Sequence, residues 1–457
     1  MSERLVVIGA DAAGMSAASQ ARRRRGPEDL SIVAFERGRH TSYAACGIPY
    51  FIGGLIKPVE RLVARSPEVF ARSFAIDVHL RHQVEHIDLH RRTVLARDLD
   101  TGTEVVEPFD QLMVATGATP RRPPLPGADA TGIFGVQTLD DAIALAQFME
   151  AQSPTRAVIV GGGYIGLEMA EALLMRGLDV SLVDSGQEPM ATLDPDMGSM
   201  VADALRDKGV TLHMTERAEG FTTRNGRVSA VAVAGEELPA DLVILGLGVR
   251  PASGLAEAAG IATGPTGGIV VDRRMRTSAD GVWSAGDCVE NFHLVSRGPV
   301  ALALGTHANK QGRVAGINLG GGYATFPGVL GTAISKICSV EVARTGLTEA
   351  QAGQAGFSHL AISVDSTTRA GYYPDTAPIR VKLVAERRTG VLLGAQIVGE
   401  EGAGKRIDVL ACALASSMTV EELSGLDLSY APPFAPVWDP VLIAARKAAE
   451  AVDSGGG

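Results

Sequence analysis

The chain has 457 residues but only four cysteines, Cys46, Cys288, Cys338 and Cys412, and no two of them lie close together. A disulfide scaffold and a Cys-x-x-Cys dithiol are excluded, and unpaired thiols point to a reducing compartment. Aromatic residues are scarce at 5%, while glycine is abundant at 54, the composition of an α/β enzyme with many tight turns. Positive charge is not in excess either: 42 basic against 52 acidic side chains leave a net charge of −10. That balance argues against nucleic acid or an anionic membrane as partner. No apolar run approaches the ~18 residues of a membrane span. The N-terminus leads directly into an apolar run with no basic, apolar and cleavage regions of a signal peptide. The expectation is a soluble cytoplasmic protein of about three domains.

Residues 5–8 form a continuous apolar run, which predicts a strand buried on both faces, and Gly9-Ala10-Asp11-Ala12-Ala13-Gly14 opens a small-residue helix. The N-terminus of such a helix offers free N–H groups and a positive dipole end to a pyrophosphate. Asp11 stands where the motif GxGxxG has its middle glycine. A second apolar run, residues 32–35, ends at Glu36, whose carboxylate can accept the hydroxyls of an adenosine ribose. The order strand, turn, helix, strand, acid is what specifies a dinucleotide site. The basic run Arg22, Arg23, Arg24 and Arg25 ends the helix, where cations oppose its dipole.

Next comes TSYAACGIPY, residues 41–50. Small residues before Cys46 allow a flat ligand to approach the backbone. Pro49 suits the first turn of a helix, a placement that lowers a thiol pKa. His79, His82, His86 and His90 have helical spacing, but the apolar residues around them alternate as strands do, so no metal site is expected. Residues 112–115 read as a further buried strand, closed by Thr116-Gly117, and the proline-rich stretch 120–126 marks a boundary.

Residues 157–160 are again a strand, followed by Gly161-Gly162-Gly163-Tyr164-Ile165-Gly166, a complete GxGxxG. The strand at 180–183 ends at Asp184, an acid suited to the 2′-hydroxyl of NADH and hostile to the 2′-phosphate of NADPH. Two such units imply two dinucleotides with hydride passing between them. Gly286-Asp287 follows another short strand and places a carboxylate opposite the first unit. Residues 325–442 contain alternating segments and an Ala-rich helix but no phosphate loop, and are expected to form a packing domain. Its conspicuous polar-aromatic turns contain Tyr372, Tyr373 and Tyr430. Residues 448–457, ending SGGG, are expected to be disordered.

From near Leu5 to near Leu442 the chain resembles the FAD-dependent pyridine nucleotide-disulfide oxidoreductases. The carrying motifs are the GxxAAG turn at Gly9, SYAACGIPY, ATG at Thr116, GGGYIG at Gly161, AGDC at Ala285 and YAPPFAPVWDP at Tyr430. The resemblance is to the single-cysteine branch of coenzyme A-disulfide reductases, NADH oxidases and NADH peroxidases, and is closest to the first. It implies two Rossmann-like domains and a C-terminal α+β dimerisation domain in a homodimer. The FAD domain, 1–118 and 246–324, is interrupted by a connector, 119–150, and an NAD(P)H domain, 151–245; the dimerisation domain is 325–447.

The cofactors implied are FAD and NADH, with NADPH as the alternative. Implied contacts around the first turn are Gly9, Ala12, Ala13, Gly14, Glu36 and Arg37, joined by Ser42, Thr116, Gly117, Gly286 and Asp287. Around the second they are Gly161, Gly163, Tyr164, Ile165, Gly166, Asp184 and Gly248. Cys46 would sit beside the flavin. Tyr430, with Tyr372 or Tyr373, would reach the partner's cysteine and protonate a leaving thiolate. Arg22 or Arg23, with Arg61 and Arg65 as further candidates, would hold the nucleotide of coenzyme A.

The expected reaction is reduction of coenzyme A disulfide, or another small disulfide, through a mixed disulfide on Cys46. Tyr43 and Ala45 depart from the family's usual Phe and Asn. Ala12 stands where peroxidases and many oxidases carry histidine, which argues against peroxide chemistry. The alternatives are an NADH oxidase or peroxidase working through a Cys46 sulfenic acid, a persulfide or polysulfide reductase, and a redox-sensing FAD/NADH-binding interaction protein.

Overall fold

In the computed structural model, which describes residues 2–454, the first apolar run becomes Glu3–Ile8, the central strand of a parallel sheet. Leu30–Glu36 pairs along one side and Gln111–Val114 along the other, so that Ile8 faces both Phe35 and Val114. Ile76–Leu80 and Val282–Ser284 complete the five strands. Leu5, Val6 and Val7 are fully buried, which is why the run is apolar on both faces. The helix Ala12–Arg22 packs against the helix Gly305–Leu319 through small residues. A Cβ at Gly312 would lie 2.3 Å from the Ala13 carbonyl, and one at Gly316 2.3 Å from that of Ala17. The segment after the second domain therefore closes back on the first.

The second sheet is also parallel, in the order Thr211–Met214, Asp179–Asp184, Arg156–Val160, Leu242–Leu245, Ile133–Gly135. Its last strand, and the helix Leu139–Gln152 that buries Leu139, Leu145 and Met149, come from the stretch expected to be a connector. That helix opens with a capping box between Thr138 and Asp141. The histidines spread over the strands Ile76–Leu80 and His82–Asp88 and the following turn; His79 pairs with Asp77 at 2.9 Å.

The third domain is a five-stranded antiparallel sheet, Ala333–Ile337, Val340–Gly346, Leu392–Gly399, Pro378–Glu386, His359–Thr367. The helix Pro440–Ser454 buries Val441, Ala444, Ala445, Ala448 and Ala449 in this domain's core. A helix thus occupies residues 448–454, where a disordered tail was expected; residues 455–457 lie outside the described residues. Among the described residues no helix is long and apolar enough to cross a membrane.

A polar seam joins the second and third domains. Lys382 Nζ, almost fully buried, sits 3.3 Å from Asp194, 2.6 Å from Asp196 and 2.5 Å from Glu349. Gln396 donates to Asp194 at 2.6 Å and accepts from its backbone N–H at 2.7 Å. Arg344, also buried, donates to the Thr192 carbonyl at 3.1 Å. An ammonium removed from water is tolerated here because carboxylates surround it.

Candidate active site

At the first turn Gly9 has φ +96°, and a Cβ there would lie 2.2 Å from the Ala115 carbonyl; one at Gly14 would lie 1.9 Å from the Gly9 carbonyl. Side chains are thus excluded, and the helix Ala12–Arg22 begins without a side-chain cap, leaving its first N–H groups for an anion. Glu36 accepts from the N–H of Ala10 at 2.9 Å and of Gly38 at 2.8 Å. With Arg37 it lines a cleft of about 520 Å³ that also receives Arg81, Arg121 and Arg122. Thr116 donates to the Ala252 carbonyl at 2.7 Å, and Gly117 has φ +69°. Gly286 lies against Ala13, bringing Asp287 to the same turn. Burial alone pushes Asp287 up to about 6. Asp11 is also pushed up to about 6, by burial first and then by the charges of Glu36 and Asp287, against the Tyr43 N–H. An open helix N-terminus, a carboxylate at the second strand end and a cleft whose arginines alternate with Asp140 and Asp141 fit a dinucleotide such as FAD.

The second turn repeats this geometry. Gly161 has φ +106°, a Cβ at Gly166 would lie 1.9 Å from the Gly161 carbonyl, and Gly163 has no atom nearer than 3.9 Å to a built Cβ. The helix Tyr164–Met175 also starts uncapped. Asp184 accepts from Gly162 and Gly186, both at 2.6 Å. The Tyr164 and Thr192 hydroxyls are both buried and lie beside one another. Ile165 follows in the first helical turn, and Gly248 is exposed with φ +76°.

Cys46 lies in the short 3₁₀ turn Ala45–Gly47, immediately before the helix Ile48–Ile52. The preceding loop is held on both sides. Ser42 and Tyr43 donate backbone N–H groups to the Ala10 carbonyl and to Asp11, each at 3.2 Å, and Ala44 donates to Leu62 at 2.8 Å. Although Cys46 is exposed, the protein packed around it pushes its thiol up, and so do the charges of Glu168 and then Asp287. The direction is opposite to the one expected from a helix N-terminus. The helix has only five residues, and its dipole is outweighed by burial and by Glu168.

Glu168 comes from the second domain, is itself raised by burial, and accepts from the Ser335 hydroxyl of the third domain at 2.6 Å. The charge of the second domain therefore reaches this thiol through Glu168, and the third domain holds that carboxylate through Ser335. No sequence motif marks Glu168 as a charge acting on Cys46, or Ser335 as its partner.

A second cavity of about 320 Å³ runs beside the same loop, lined by Ser42 and Ala12 and by Arg23, Arg65 and Arg313. Arg23 and Arg65 lie over the Phe74 ring at 5.8 and 5.7 Å, a stacking that orders both guanidinium groups. The buried Ser19 hydroxyl, without a hydrogen-bond partner, also lines it. Arg22 is turned elsewhere, donating to the Phe74 carbonyl at 2.7 Å and to that of Ala75 at 3.1 Å. Arg61 is exposed, 3.5 Å from the Lys57 carbonyl. Arg313, from the helix Gly305–Leu319, was not anticipated. In the third domain Tyr372 lies beside Tyr430 and raises its hydroxyl; both are exposed in the single chain, whereas Tyr373 is half-buried.

Residues 3–312 match the family model described as pyridine nucleotide-disulphide oxidoreductase, and residues 332–440 match its dimerisation domain. The chain is 38% identical over 449 residues to the NAD(P)H coenzyme A polysulfide/persulfide reductase of Pyrococcus horikoshii, covering 98% of each chain. It is 30% identical to the coenzyme A disulfide reductase of Staphylococcus haemolyticus, covering 94% of this chain and 96% of that one. The solved structure of an NAD-dependent persulfide reductase from A. fulgidus superposes with a TM-score of 0.95 at 39% identity, over 99% of this chain and 84% of that one.

Proposed function

This chain belongs to the pyridine nucleotide-disulphide oxidoreductase family, and from that membership we propose that it reduces coenzyme A disulfide with electrons from NADH, using Cys46 as the exchanging thiol. The observation that carries the proposal is the cavity beside the Cys46 loop, where Arg23, Arg65 and Arg313 offer a nucleotide-sized cationic site. FAD, when bound along the first turn, supplies the two-electron relay between nicotinamide and disulfide.

The residues divide the remaining work. Glu36 and Asp287 hold hydroxyls of the first cofactor, and Asp184 those of NADH. The Cys46 sulfur attacks one sulfur of the disulfide, forming a mixed disulfide and expelling a thiolate. The Tyr430 hydroxyl, reaching across a homodimer with Tyr372 beside it, protonates that thiolate. Two electrons from NADH, with one proton taken up, then break the mixed disulfide, release the second thiol and leave Cys46 as the thiolate that attacks next. A second thiol in the protein is unnecessary, because the substrate brings its own.

Reduction of a persulfide is the second reading, favoured by the higher identity to the Pyrococcus reductase than to the staphylococcal one. Anaerobic NADH oxidation with coenzyme A disulfide, polysulfide and hydrogen peroxide in parallel separates the readings. Turnover on coenzyme A disulfide, abolished by Cys46→Ser with FAD retained, is the expected result. Full turnover by that variant sinks the proposal, and rapid turnover on polysulfide alone transfers Cys46 to persulfide chemistry.

A further inference from the structure

The first glycine turn puts an acid, Asp11, where a pyrophosphate-binding turn gains most from glycine. Its carboxylate does not cap the helix that it precedes. Instead, Oδ1 accepts the backbone N–H of Tyr43 at 3.2 Å. The neighbouring Ala10 carbonyl accepts the Ser42 N–H at 3.2 Å and the Thr41 hydroxyl. On the far side the loop is held by backbone alone, through Ala44 to Leu62 at 2.8 Å and Ala64 to Ser42 at 2.7 Å. Between these ties Ser42 has φ +51°, a left-handed conformation that a non-glycine residue keeps only when its surroundings over-determine it. Three residues further along is the turn that carries the thiol.

We propose that Asp11 is a positioning residue for Cys46: its carboxylate oxygen takes the Tyr43 N–H, fixing the left-handed turn at Ser42 and with it the approach of the sulfur. The inference rests on Cys46 being the exchanging thiol. What Asp11 contributes is an acceptor atom rather than a charge. Glycine would remove the acceptor while completing the GxGxxG pattern, whereas asparagine would keep the acceptor and remove the charge.

The test compares Asp11→Gly and Asp11→Asn in the FAD-loaded enzyme. It measures FAD content, the iodoacetamide alkylation rate of the Cys46 peptide by mass spectrometry, and kcat and KM for NADH. Asp11→Gly is expected to retain FAD, to change the alkylation rate at least about threefold, and to lower kcat about tenfold at unchanged KM, the scale of one lost hydrogen bond. Asp11→Asn is expected to behave as the parent in all three. Equal impairment of the two variants makes the charge the active feature and overturns the proposal, as does parental behaviour of Asp11→Gly. Loss of FAD from Asp11→Gly also overturns it, by assigning Asp11 to the cofactor. If Asp11→Gly fails to fold, Asp11→Ala replaces it with the same expectations. Altered alkylation with unaltered turnover upholds the positioning and separately sinks the role of Cys46.

Discussion

The two glycine turns are near copies in backbone, and the side chain that sets them apart in function is the one at the middle position. In each, a carboxylate at the end of the second strand accepts the N–H of the residue after the first glycine, and that of a residue two beyond itself: Glu36 from Ala10 and Gly38, Asp184 from Gly162 and Gly186. In each, a Cβ on the last glycine would collide with the carbonyl of the first at 1.9 Å. The middle position departs, with Gly163 open in one turn and Asp11 tied to the redox loop in the other. Closure of the turn therefore demands its outer glycines, while the middle one is available for other work where a neighbouring loop needs an anchor.

The comparison breaks most decisively at the outer glycines. Gly14→Ala and Gly166→Ala are each expected to cost about 3 kcal/mol of stability, because the clash is with backbone rather than a movable side chain. Gly14→Ala should yield protein without flavin absorbance, whereas Gly166→Ala should keep FAD and lose NADH oxidation with every acceptor. Normal NADH turnover by Gly166→Ala would end the equivalence of the turns. A smaller effect is expected of Asp184→Ala. Loss of the acid should raise KM for NADH about tenfold and narrow the preference over NADPH, which steady-state kinetics with both nucleotides checks.

The smallest effect sharpens the contrast in charge. Asp287 titrates near 6 in the folded protein against 3.8 for a free side chain, so the folded state binds the proton more tightly. The stability that this proton provides is lost as pH rises through 6. In FAD-free protein the melting midpoint of Asp287→Asn should gain on the parent by about 2 °C between pH 5 and pH 7. A difference constant across that range would show that Asp287 ionises freely.

What was legible in the sequence was what is local. Strand, turn, helix, strand and acid follow one another within some thirty residues, and both sheets formed on that order. Cys46 stood out because no second thiol is near it. The Thr138–Asp141 capping box was present as a local signal, yet the proline-rich stretch before it concealed that residues 133–152 join the second sheet. Among the four consecutive arginines, helical phase alone decides which one faces the cavity, and a run of identical residues carries no phase; Arg23 faces it and Arg22 does not. The Ser335 contact to Glu168 spans 167 residues between two domains, and no periodicity reports such a pairing. The thiol's raised pKa was hidden for a like reason: burial leads it, and the charges that add to it, Glu168 and Asp287, come from far along the chain.

The buried ammonium of Lys382 also limits how this enzyme can be rebuilt. An engineer who exchanged the nicotinamide domain as a cassette, to import a different coenzyme preference, would transplant Asp194 and Asp196 away from their counter-ion in the third domain. A donor cassette without acids at those two positions would leave Lys382 only Glu349, which is partly exposed to solvent. Recombination breakpoints in this protein are therefore set by a charge balance between domains, and the unit that can be inherited or swapped intact is the nicotinamide domain together with the sheet that carries Lys382.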